Sequence, residues 1–326
     1  MDTYHVSWWN VENLFDVEDS DWRPDYLQRR LRNELRGWDS TVLNQKISQL
    51  ARIITQLNSG QGPDILGICE VENQAVLELL VDELSPLNRN YGIAHHDTSD
   101  NRGIDIAFIF DEDLFTFEQQ FHYEVLKRSA TRDIFQVNLR TRHGRGLILI
   151  GNHWPARSGG VLETEPYRII AAETMSYWME RIFEIRGRDI PVLIMGDFND
   201  EPFNRSMTEY ALSTHSEQKV INSRSPRLFN LMWPAKGAGI GTHYYNYFPH
   251  VLDQFLVSRG MLQDDSPIRL AGTDGSYNVS VDKLPEMRSG GDYEEPIRFS
   301  RPSESSYEPQ GFSDHYPISV ELVEDD

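Results

Sequence analysis

Cysteine, basic charge and long apolar runs are all scarce in this sequence. The single cysteine, Cys69, excludes an intramolecular disulfide and weakly favours a reducing compartment. No apolar run approaches the roughly 18 residues that cross a bilayer, so no membrane span is expected. The N-terminus carries Asp2 where a secretory signal has positive charge. We therefore expect a soluble, cytoplasmic protein that is monomeric by default, although the sequence leaves the oligomeric state open.

The charge balance is strongly acidic. The chain has 31 Lys and Arg against 51 Asp and Glu, which gives a formal net charge of −20. Nonspecific coating of nucleic acid depends on basic side chains that neutralise phosphates, so this balance argues against it. It does not exclude an enzyme that binds nucleic acid locally and releases it quickly. Because 39% of the 326 residues are hydrophobic, the chain can bury a large core, which excludes a fibrous or disordered protein.

The hydrophobic pattern alternates between helices and strands. Helical spacing predicts helices over 43–57, 73–84 and 163–187, the last ending at Gly187. Apolar or alternating runs predict strands over 3–11, 65–69, 104–111, 115–126, 132–154 with a hairpin at 142–146, 190–195, 251–258 and 313–323. The segment 260–311 is rich in Pro, Gly, Ser and Glu, and it predicts a long loop inserted into one domain that spans 1–326. The expected architecture is α/β, with mixed sheets and helices outside them.

One predicted strand ends in an unusual way. The segment IPVLIMGDFND (190–200) is apolar up to Gly196, which permits a sharp exit, and then delivers acidic and amide side chains. If the chain stays extended, Asp197 and Asn199 point to the same side while Phe198 points back into the core. The alternative is an Asx turn that caps the next helix.

Other predicted strands end in the same kind of residue. The segments are WWNVEN, ICEVEN, IGNHW and VLDQF, with FSDHYP at the start of the final strand. Each also has a purely structural explanation. Asn10 and Glu12 could be turn formers, Glu70 could cap a helix, and His153 could be a buried core histidine whose hydrogen bonds are all made. Asp253 has no such simple structural explanation, because it lies in an apolar strand and a buried carboxylate costs several kcal/mol unless it is paired. Together these strand ends favour one active-site cleft at a sheet edge.

The motifs WNVENLFD, CEVEN, GNHWPARSGG, GDFND, LDQFLVS and SDHYP occur in this order. The set resembles the signature of the endonuclease/exonuclease/phosphatase superfamily, which includes pancreatic-type deoxyribonuclease, abasic-site endonucleases, inositol-polyphosphate 5-phosphatases and neutral sphingomyelinases. The NHWPxRSGG form is similar to bacterial members. The resemblance implies a DNase I-like four-layer α/β/β/α sandwich and metal-dependent hydrolysis of phosphoesters.

The resemblance also implies residue roles. Its metal set corresponds to Asn10, Glu12, Glu70 and Asp314, and the oxygen ligands suit Mg²⁺ or Mn²⁺. Its catalytic set implies that Asp197 orients or deprotonates the attacking water, Asn199 holds a phosphate oxygen, His315 faces the phosphate with Asp253 orienting it, His153 is a second histidine, and Asp105 orients His153. Arg157, within the GNHWPARSGG motif, is a candidate for substrate binding.

The substrate is less constrained by these motifs. No equivalent of the abasic-site endonuclease tyrosine can be placed, and the two histidines are more like the deoxyribonuclease arrangement. Arg29, Arg32 and Arg36 have helical spacing, so a helix there would present a basic face to DNA; alternatively the arginines pair with Glu34 and the acids of 16–21. A nuclease is the leading interpretation. A phosphatase or lipid phosphodiesterase on a smaller substrate is the second, and an inactive binding module is the third.

Overall fold

The protein is described by a computed structural model that covers residues 1–128, 130–273, 276–290 and 294–325. The α-helices are α1 Asp25–Leu31, α2 Ser40–Ile54, α3 Gln74–Glu83, α4 Val161–Arg186, α5 Glu217–Asn222 and α6 Trp233–Gly237. A π-helical turn covers Ser206–Tyr210, and short 3-10 helices cover Ser85–Leu87, Arg259–Met261 and Pro285–Met287. The helical turn at Leu57–Gly60 contains two left-handed residues. No helix within these ranges combines the length and the apolar character that a membrane crossing requires.

The strands, in chain order, are β1 Asp2–Leu14, β2 Ile65–Val71, β3 Tyr91–His95, β4 Asp105–Asp111, β5 Phe115–Tyr123, β6 Ile134–Thr141, β7 Gly146–His153, β8 Val192–Asp197, β9 Ser213–Thr214, β10 Leu228–Asn230, β11 His243–Tyr245, β12 Phe248–His250, β13 Asp253–Val257, β14 Ile268–Leu270, β15 Gly272–Thr273, β16 Ser276–Tyr277, β17 Val279–Val281 and β18 Ile318–Glu324.

Most strands form two large mixed sheets. The first has the order β14-β18-β1-β2-β4-β3, with β17 also paired to β18, and the second has the order β5-β6-β7-β8-β13-β10-β9. Only β1 with β2, β7 with β8 and β9 with β10 run parallel among the described pairs. The strands predicted from apolar runs are thus confirmed, and each takes a place in a sheet.

The two sheets pack face to face through large apolar side chains. The side chains that alternate toward this inner layer include Tyr4, Val6, Trp8, Phe108, Phe110, Phe135, Leu149, Met195, Phe255 and Val320. Residues one position away in the strands face outward instead, as Trp9 does after Trp8, because successive side chains of a strand point to opposite faces. Each sheet therefore has a second apolar face that must also be covered.

Helices cover both outer faces. The apolar stripe of α2 and α3, with Ile47, Leu50 and Leu77, packs on the outer face of the first sheet. Helix α4 places Ala172 and Met175 on the outer face of the second sheet, and it ends before Gly187, as predicted. The result is the four-layer α/β/β/α sandwich that the motif resemblance implied.

The segment 260–311 is not a loop throughout. Its strands β14 and β17 pair antiparallel with β18, and Phe299 is fully buried against Phe15 and Trp38. Short apolar pairs such as Ile268 and Leu270, both buried, are enough to extend an existing sheet edge. The prediction of a long loop from composition was wrong for these strands, because a strand of three residues has too few alternating apolar positions to be recognised among Pro, Gly and Ser.

Candidate active site

The polar strand ends meet at one edge of the two sheets. In the second sheet both His153 and Asp253 are the register partners of Asp197. In the first sheet Asn10 pairs with Cys69, the residue before Glu70. His315 and Asp314 lie just before β18, which is the other neighbour of β1. The predicted site residues are therefore brought to the same edge by strand order and register.

The GDFND segment combines the two alternatives that the sequence left open. The backbone N–H of Asn199 donates to Asp197 Oδ1 at 2.9 Å, which closes an Asx-type turn. Asn199 has a positive φ of 50°, so the chain does not stay extended. Even so, the Asn199 amide lies 3.2 Å from Asp197 Oδ2, and Phe198 is fully buried. Gly196 matters for close approach, since a Cβ would lie 2.4 Å from the Asn152 carbonyl oxygen.

The Asp197 carboxylate is the centre of the polar network. Its Oδ2 accepts from Asn10 Nδ2 at 3.2 Å and lies 3.7 Å from His153 Nε2 and 4.0 Å from His315 Nε2. Burial, with the neighbouring acids Asp253 and Glu70, raises the pKa of Asp197 to about 6, while His315 and the Asn199 N–H act in the opposite direction. A carboxylate with such a pKa can accept a proton near neutral pH.

His315 and Asp253 form a buried pair. The ring Nδ1 of His315 lies 2.6 Å from Asp253 Oδ2, and Trp8 Nε1 donates to the other oxygen at 3.2 Å. Burial lowers the pKa of His315, but the negative charges of Asp253, Asp197 and Asp314 outweigh it and hold that pKa well above its usual value. His315 is therefore an imidazolium whose Nε2 faces the cleft.

His153 behaves in the opposite way. Burial first, and then Arg132, Arg102 and His315, hold its pKa well below the usual value, so the ring is neutral. Its Nε2 lies 3.6 Å from Glu70 Oε1, and its Nδ1 is buried without a hydrogen-bond partner among the described residues. This neutral ring can donate from one nitrogen only.

The prediction that Asp105 orients His153 is wrong. Asp105 Oδ1 accepts from the Thr98 N–H at 3.0 Å and from the Thr98 hydroxyl at 2.6 Å, and Oδ2 lies 3.6 Å from His95 Nε2. The expectation came from the family resemblance, which implied a carboxylate beside His153. Asp105 does lie near the site, but its second oxygen faces His95, at the end of β3, instead of His153.

Two carboxylates in the cleft can hold a hard divalent cation. Glu70 Oε2 accepts from the Asn13 N–H at 3.0 Å, which leaves Oε1 with Arg102 at a long 3.5 Å. The Asp314 side chain is 30% exposed, and its closest ion-pair partner among the described residues is Arg298 at 3.7 Å. Burial raises the pKa of Asp314, but the positive charges of His315, His243, Arg298 and Lys46 outweigh it and hold that pKa below its usual value. Carboxylate oxygens that have no short hydrogen bond in the described structure, such as Glu70 Oε1, fit Mg²⁺ or Mn²⁺.

The other two expected ligands are already engaged. Glu12 is 1% exposed, and its carboxylate accepts from Arg298 Nε at 2.8 Å and from the Phe299 N–H at 2.9 Å. Burial and the nearby Asp314 raise the pKa of Glu12 to about 7, against Lys46 and Arg298. Asn10 Oδ1 accepts from the Glu12 N–H at 3.0 Å. Glu12 thus anchors the 298–299 segment to β1, which conflicts with its expected place in the metal set.

Two functional neighbours were missed by the sequence analysis. Lys46 is fully buried beneath Glu12 and donates to the Phe312 carbonyl at 2.6 Å; burial lowers its pKa to about 8, against the acids Glu12, Asp314 and Glu70. The signal was present, because Lys46 interrupts the apolar stripe of α2. His243 packs 4.7 Å from His315, centroid to centroid, and burial, with His315, lowers its pKa to about 4. No motif marked His243.

The arginines expected to bind substrate lie in two settings. Arg157 does not face the cleft freely: its Nε donates to the Asn199 carbonyl at 2.6 Å and its Nη2 to Asp200 Oδ1 at 2.8 Å, so it supports the GDFND turn. The predicted basic helix is only partly correct, because α1 ends at Leu31. Arg29, Arg32 and Arg36 are nonetheless all exposed. Glu34, their expected partner, pairs with Arg301 instead.

Comparison with known proteins agrees with this geometry. The model of the Endonuclease/Exonuclease/phosphatase family matches residues 5–324, and the chain belongs to that family. A search of curated proteins gave no match.

Several solved structures share the fold across the whole chain. The human Nocturnin catalytic domain with bound sulfate is 18% identical, with 99% of this chain and 95% of that chain covered and a TM-score of 0.56. A truncated TDP2 from Caenorhabditis elegans is 15% identical, with 98% and 97% covered and a TM-score of 0.57. An endonuclease/exonuclease/phosphatase family protein from Bacteroides thetaiotaomicron is 15% identical, with 99% and 96% covered and a TM-score of 0.53.

Proposed function

We propose that this protein is a Mg²⁺- or Mn²⁺-dependent phosphodiesterase that cleaves nucleic acid, DNA in the first place. The carrying observation is the arrangement around Asp197: a buried carboxylate with a raised pKa lies between a neutral and a charged imidazole. Such a pairing of acid and base groups, whose pKa values are pushed apart, is typical of catalytic sites. An inactive binding module would have no use for it.

The side chains divide the work by charge. Asp197 accepts the proton of the attacking water, held by hydrogen bonds from Asn10 and Asn199. His315, kept as an imidazolium by Asp253 at 2.6 Å, offers its Nε2 to the phosphate oxygen on which negative charge builds. His153 is neutral and adds a hydrogen bond without further charge.

Glu70 and Asp314 would hold the divalent cation, with Asn10 beside them. When bound, the ion polarises the phosphoryl group and neutralises its charge. Its positive charge would also suit a buried site that contains several carboxylates, where burial first, and neighbouring acids second, raise the pKa of Glu12 to about 7 and that of Asp197 to about 6. Arg102 lies 3.5 Å from Glu70, and Arg298 lies 3.7 Å from Asp314, so each of these two carboxylates has a cationic side chain beside it.

The preference for nucleic acid rests on a local feature of an acidic protein. Leu27 of α1 packs on Gly103, the neighbour of Arg102, whose guanidinium reaches Glu70. Helix α1 therefore lies beside the segment that carries Arg102, and we infer that the exposed Arg29 of this helix, and Arg32 and Arg36 after it, are on the same side as the cleft. A phosphodiester backbone leaving the cleft on this side would meet these charges. A phosphatase or lipid phosphodiesterase acting on a small substrate would not need them.

The test compares substrates and arginines. We expect Mg²⁺-dependent, EDTA-sensitive cleavage of DNA in a panel that also contains RNA, inositol phosphates and sphingomyelin. The triple variant Arg29→Ala/Arg32→Ala/Arg36→Ala should raise KM for DNA and flatten the salt dependence of binding by up to about one log–log unit per lost phosphate contact, with hydrolysis of a small chromogenic diester nearly unchanged.

A matched control removes the same charge at the opposite end of β7 and β8. Arg145, Arg186 and Arg188 lie together there, and their triple Ala variant should leave KM for DNA close to wild type. If both triple variants behave alike, the exposed arginines are only a solvated surface. If sphingomyelin or an inositol phosphate is the best substrate of the panel, the nuclease proposal is wrong while the phosphoesterase chemistry stands.

A further inference from the structure

A second group of possible metal ligands lies beside the cleft, outside the catalytic set. The ligand atoms of His95, Asp97 and Asp105 all lie within 4.8 Å of one another. His95 Nε2 is 3.6 Å from Asp105 Oδ2 and 3.9 Å from Asp97 Oδ1. Both distances are longer than an ordinary hydrogen bond, so His95 Nε2 faces the two carboxylates without a short contact to either.

One buried nitrogen of this group, His95 Nε2, lacks among the described residues the hydrogen-bond partner that burial demands. The His95 side chain is 4% exposed, and its Nε2 has no hydrogen-bond partner in the described structure. A buried polar nitrogen left in this way is unfavourable. The His95 imidazole can gain a partner by binding a cation, because its Nε2 faces two carboxylate oxygens.

The geometry suits a zinc ion with an open position. Zinc bonds of 2.0–2.2 Å to nitrogen and oxygen in a tetrahedron place the ligand atoms about 3.4 Å apart, and the observed 3.6 and 3.9 Å are within a small side-chain shift of that. Thr98 fixes the other oxygen of Asp105 with two hydrogen bonds, the kind of support that orients metal-binding carboxylates. One imidazole with two carboxylates favours Zn²⁺ over Ca²⁺ or Mg²⁺.

The fourth side of the group opens to a pocket. Asp97 and Asp105 line a pocket of about 520 Å³ together with the aromatic rings of Trp22 and Tyr26. Asp105 is the register partner of Val71, the residue after Glu70, so the pocket adjoins the catalytic edge. A three-ligand ion here would keep a position for water or a substrate oxygen.

A second His/Asp group on the same side is less suitable. The rings of His96 and His122 are stacked at 3.7 Å with an interplanar angle of 15°, although Asp133 lies within reach of both. Lone pairs of imidazole lie in the ring plane, so parallel rings direct them alongside each other rather than at one ion. The His243, Asp314 and His315 group belongs to the catalytic site.

We propose that His95, Asp97 and Asp105 bind one Zn²⁺ ion, with an open coordination position that faces the adjoining pocket. This site is separate from the Mg²⁺ or Mn²⁺ site described above and does not depend on the proposed activity. The ion ties the end of β3 to the start of β4 and places a Lewis acid next to the catalytic cleft.

The experiment measures binding rather than turnover. Full-length protein, freed of metal with chelator, is titrated with Co²⁺ and Zn²⁺ in excess Mg²⁺, and the visible absorption of bound Co²⁺ reports the site. We expect one Co²⁺ with the intense bands of four-coordinate geometry, displaced by Zn²⁺. Affinity should fall at least tenfold in His95→Ala and in Asp97→Asn, and about tenfold or more in Thr98→Val, which removes an outer-shell partner.

The controls separate this site from its neighbours. His122→Ala and Glu70→Gln should keep the Co²⁺ spectrum, and so should His243→Ala. If His122→Ala abolishes the bands, the ion is held by the stacked pair; if His243→Ala or Glu70→Gln does, the ion is in the catalytic site. Either result overturns the proposal, as does unchanged affinity in Asp97→Asn. Because the Asp97 side chain is exposed, a fall in affinity in this variant does not come from misfolding.

Discussion

Replacing Asp253 by Asn tests the central feature of the proposed mechanism, the buried ion pair with His315. The carboxylate is fully buried and lies 2.6 Å from the imidazole Nδ1. Asn keeps the shape and can still accept one hydrogen bond, so the change removes mainly the negative charge. His315 then loses the largest influence that raises its pKa, and the charged form that faces the phosphate becomes less populated.

The size of the loss follows from that contact. A hydrogen bond to a charged group contributes about 1.5–3 kcal/mol, and each 1.36 kcal/mol is tenfold in rate. We therefore expect Asp253→Asn to lower kcat/KM by about 10- to 100-fold. His315→Ala removes the whole group and should cost about 10²- to 10⁴-fold.

A double-mutant cycle on a chromogenic phosphodiester is the assay. Because Asp253 acts through His315, the double variant should be little worse than His315→Ala alone. Asp111→Asn is the matched control: Asp111 is a buried acid paired with Arg89 at 2.9 Å, but it lies at the far end of β4. It should lower stability and leave kcat/KM unchanged. Fully additive losses for Asp253 and His315 would refute the reasoning.

Three further outcomes are expected. Glu70→Gln should weaken Mn²⁺ binding at least tenfold in calorimetric titration while Asp197→Asn leaves it intact, although both abolish turnover; equal affinity in Glu70→Gln would contradict the metal assignment. Asp197 must be ionised to accept a proton, and its pKa is about 6. A plot of kcat/KM against pH should therefore rise with increasing pH, with a midpoint at or below 6. A midpoint above 7 would exclude Asp197 as the base. Arg298→Ala should lower the free energy of unfolding by about 2 kcal/mol, because Glu12 is left buried without the cation that hydrogen-bonds to it; in denaturant titrations Arg301→Ala, which removes ion pairs with the more exposed Glu34 and Glu304, should cost under about 1 kcal/mol.

The sequence predicted the position of a site residue wherever that residue lies at the end of an apolar strand. Asp197, Asp253 and His153 could be placed at one edge because each ends or begins an apolar run, and register then makes them neighbours. The sandwich itself follows from alternating runs such as Trp8 and Trp9, whose side chains serve the inner and outer layers.

The sequence was uninformative about which carboxylates stay free. Glu12 and Glu70 are both acidic residues directly after a predicted strand, but Glu12 contacts Arg298, 286 positions later in the chain. Asp105 was likewise assigned to the wrong histidine, because the pairing depends on a loop, 96–104, that brings Thr98 and His95 to it. Contacts between segments so far apart leave no periodic signal in the sequence.

The pairing of β1 with β18 has a consequence for folding kinetics. Asp2 is the register partner of Glu324, and Trp8 that of Ile318, so the contact order of this sheet is high. Closing a loop of that length carries a large entropic barrier, and such long-range pairings form slowly. Asn10 on one strand and His315 beside the other meet only after that closure. The cleft is therefore assembled late, and partly folded chains are without hydrolytic activity until the two distant segments have paired.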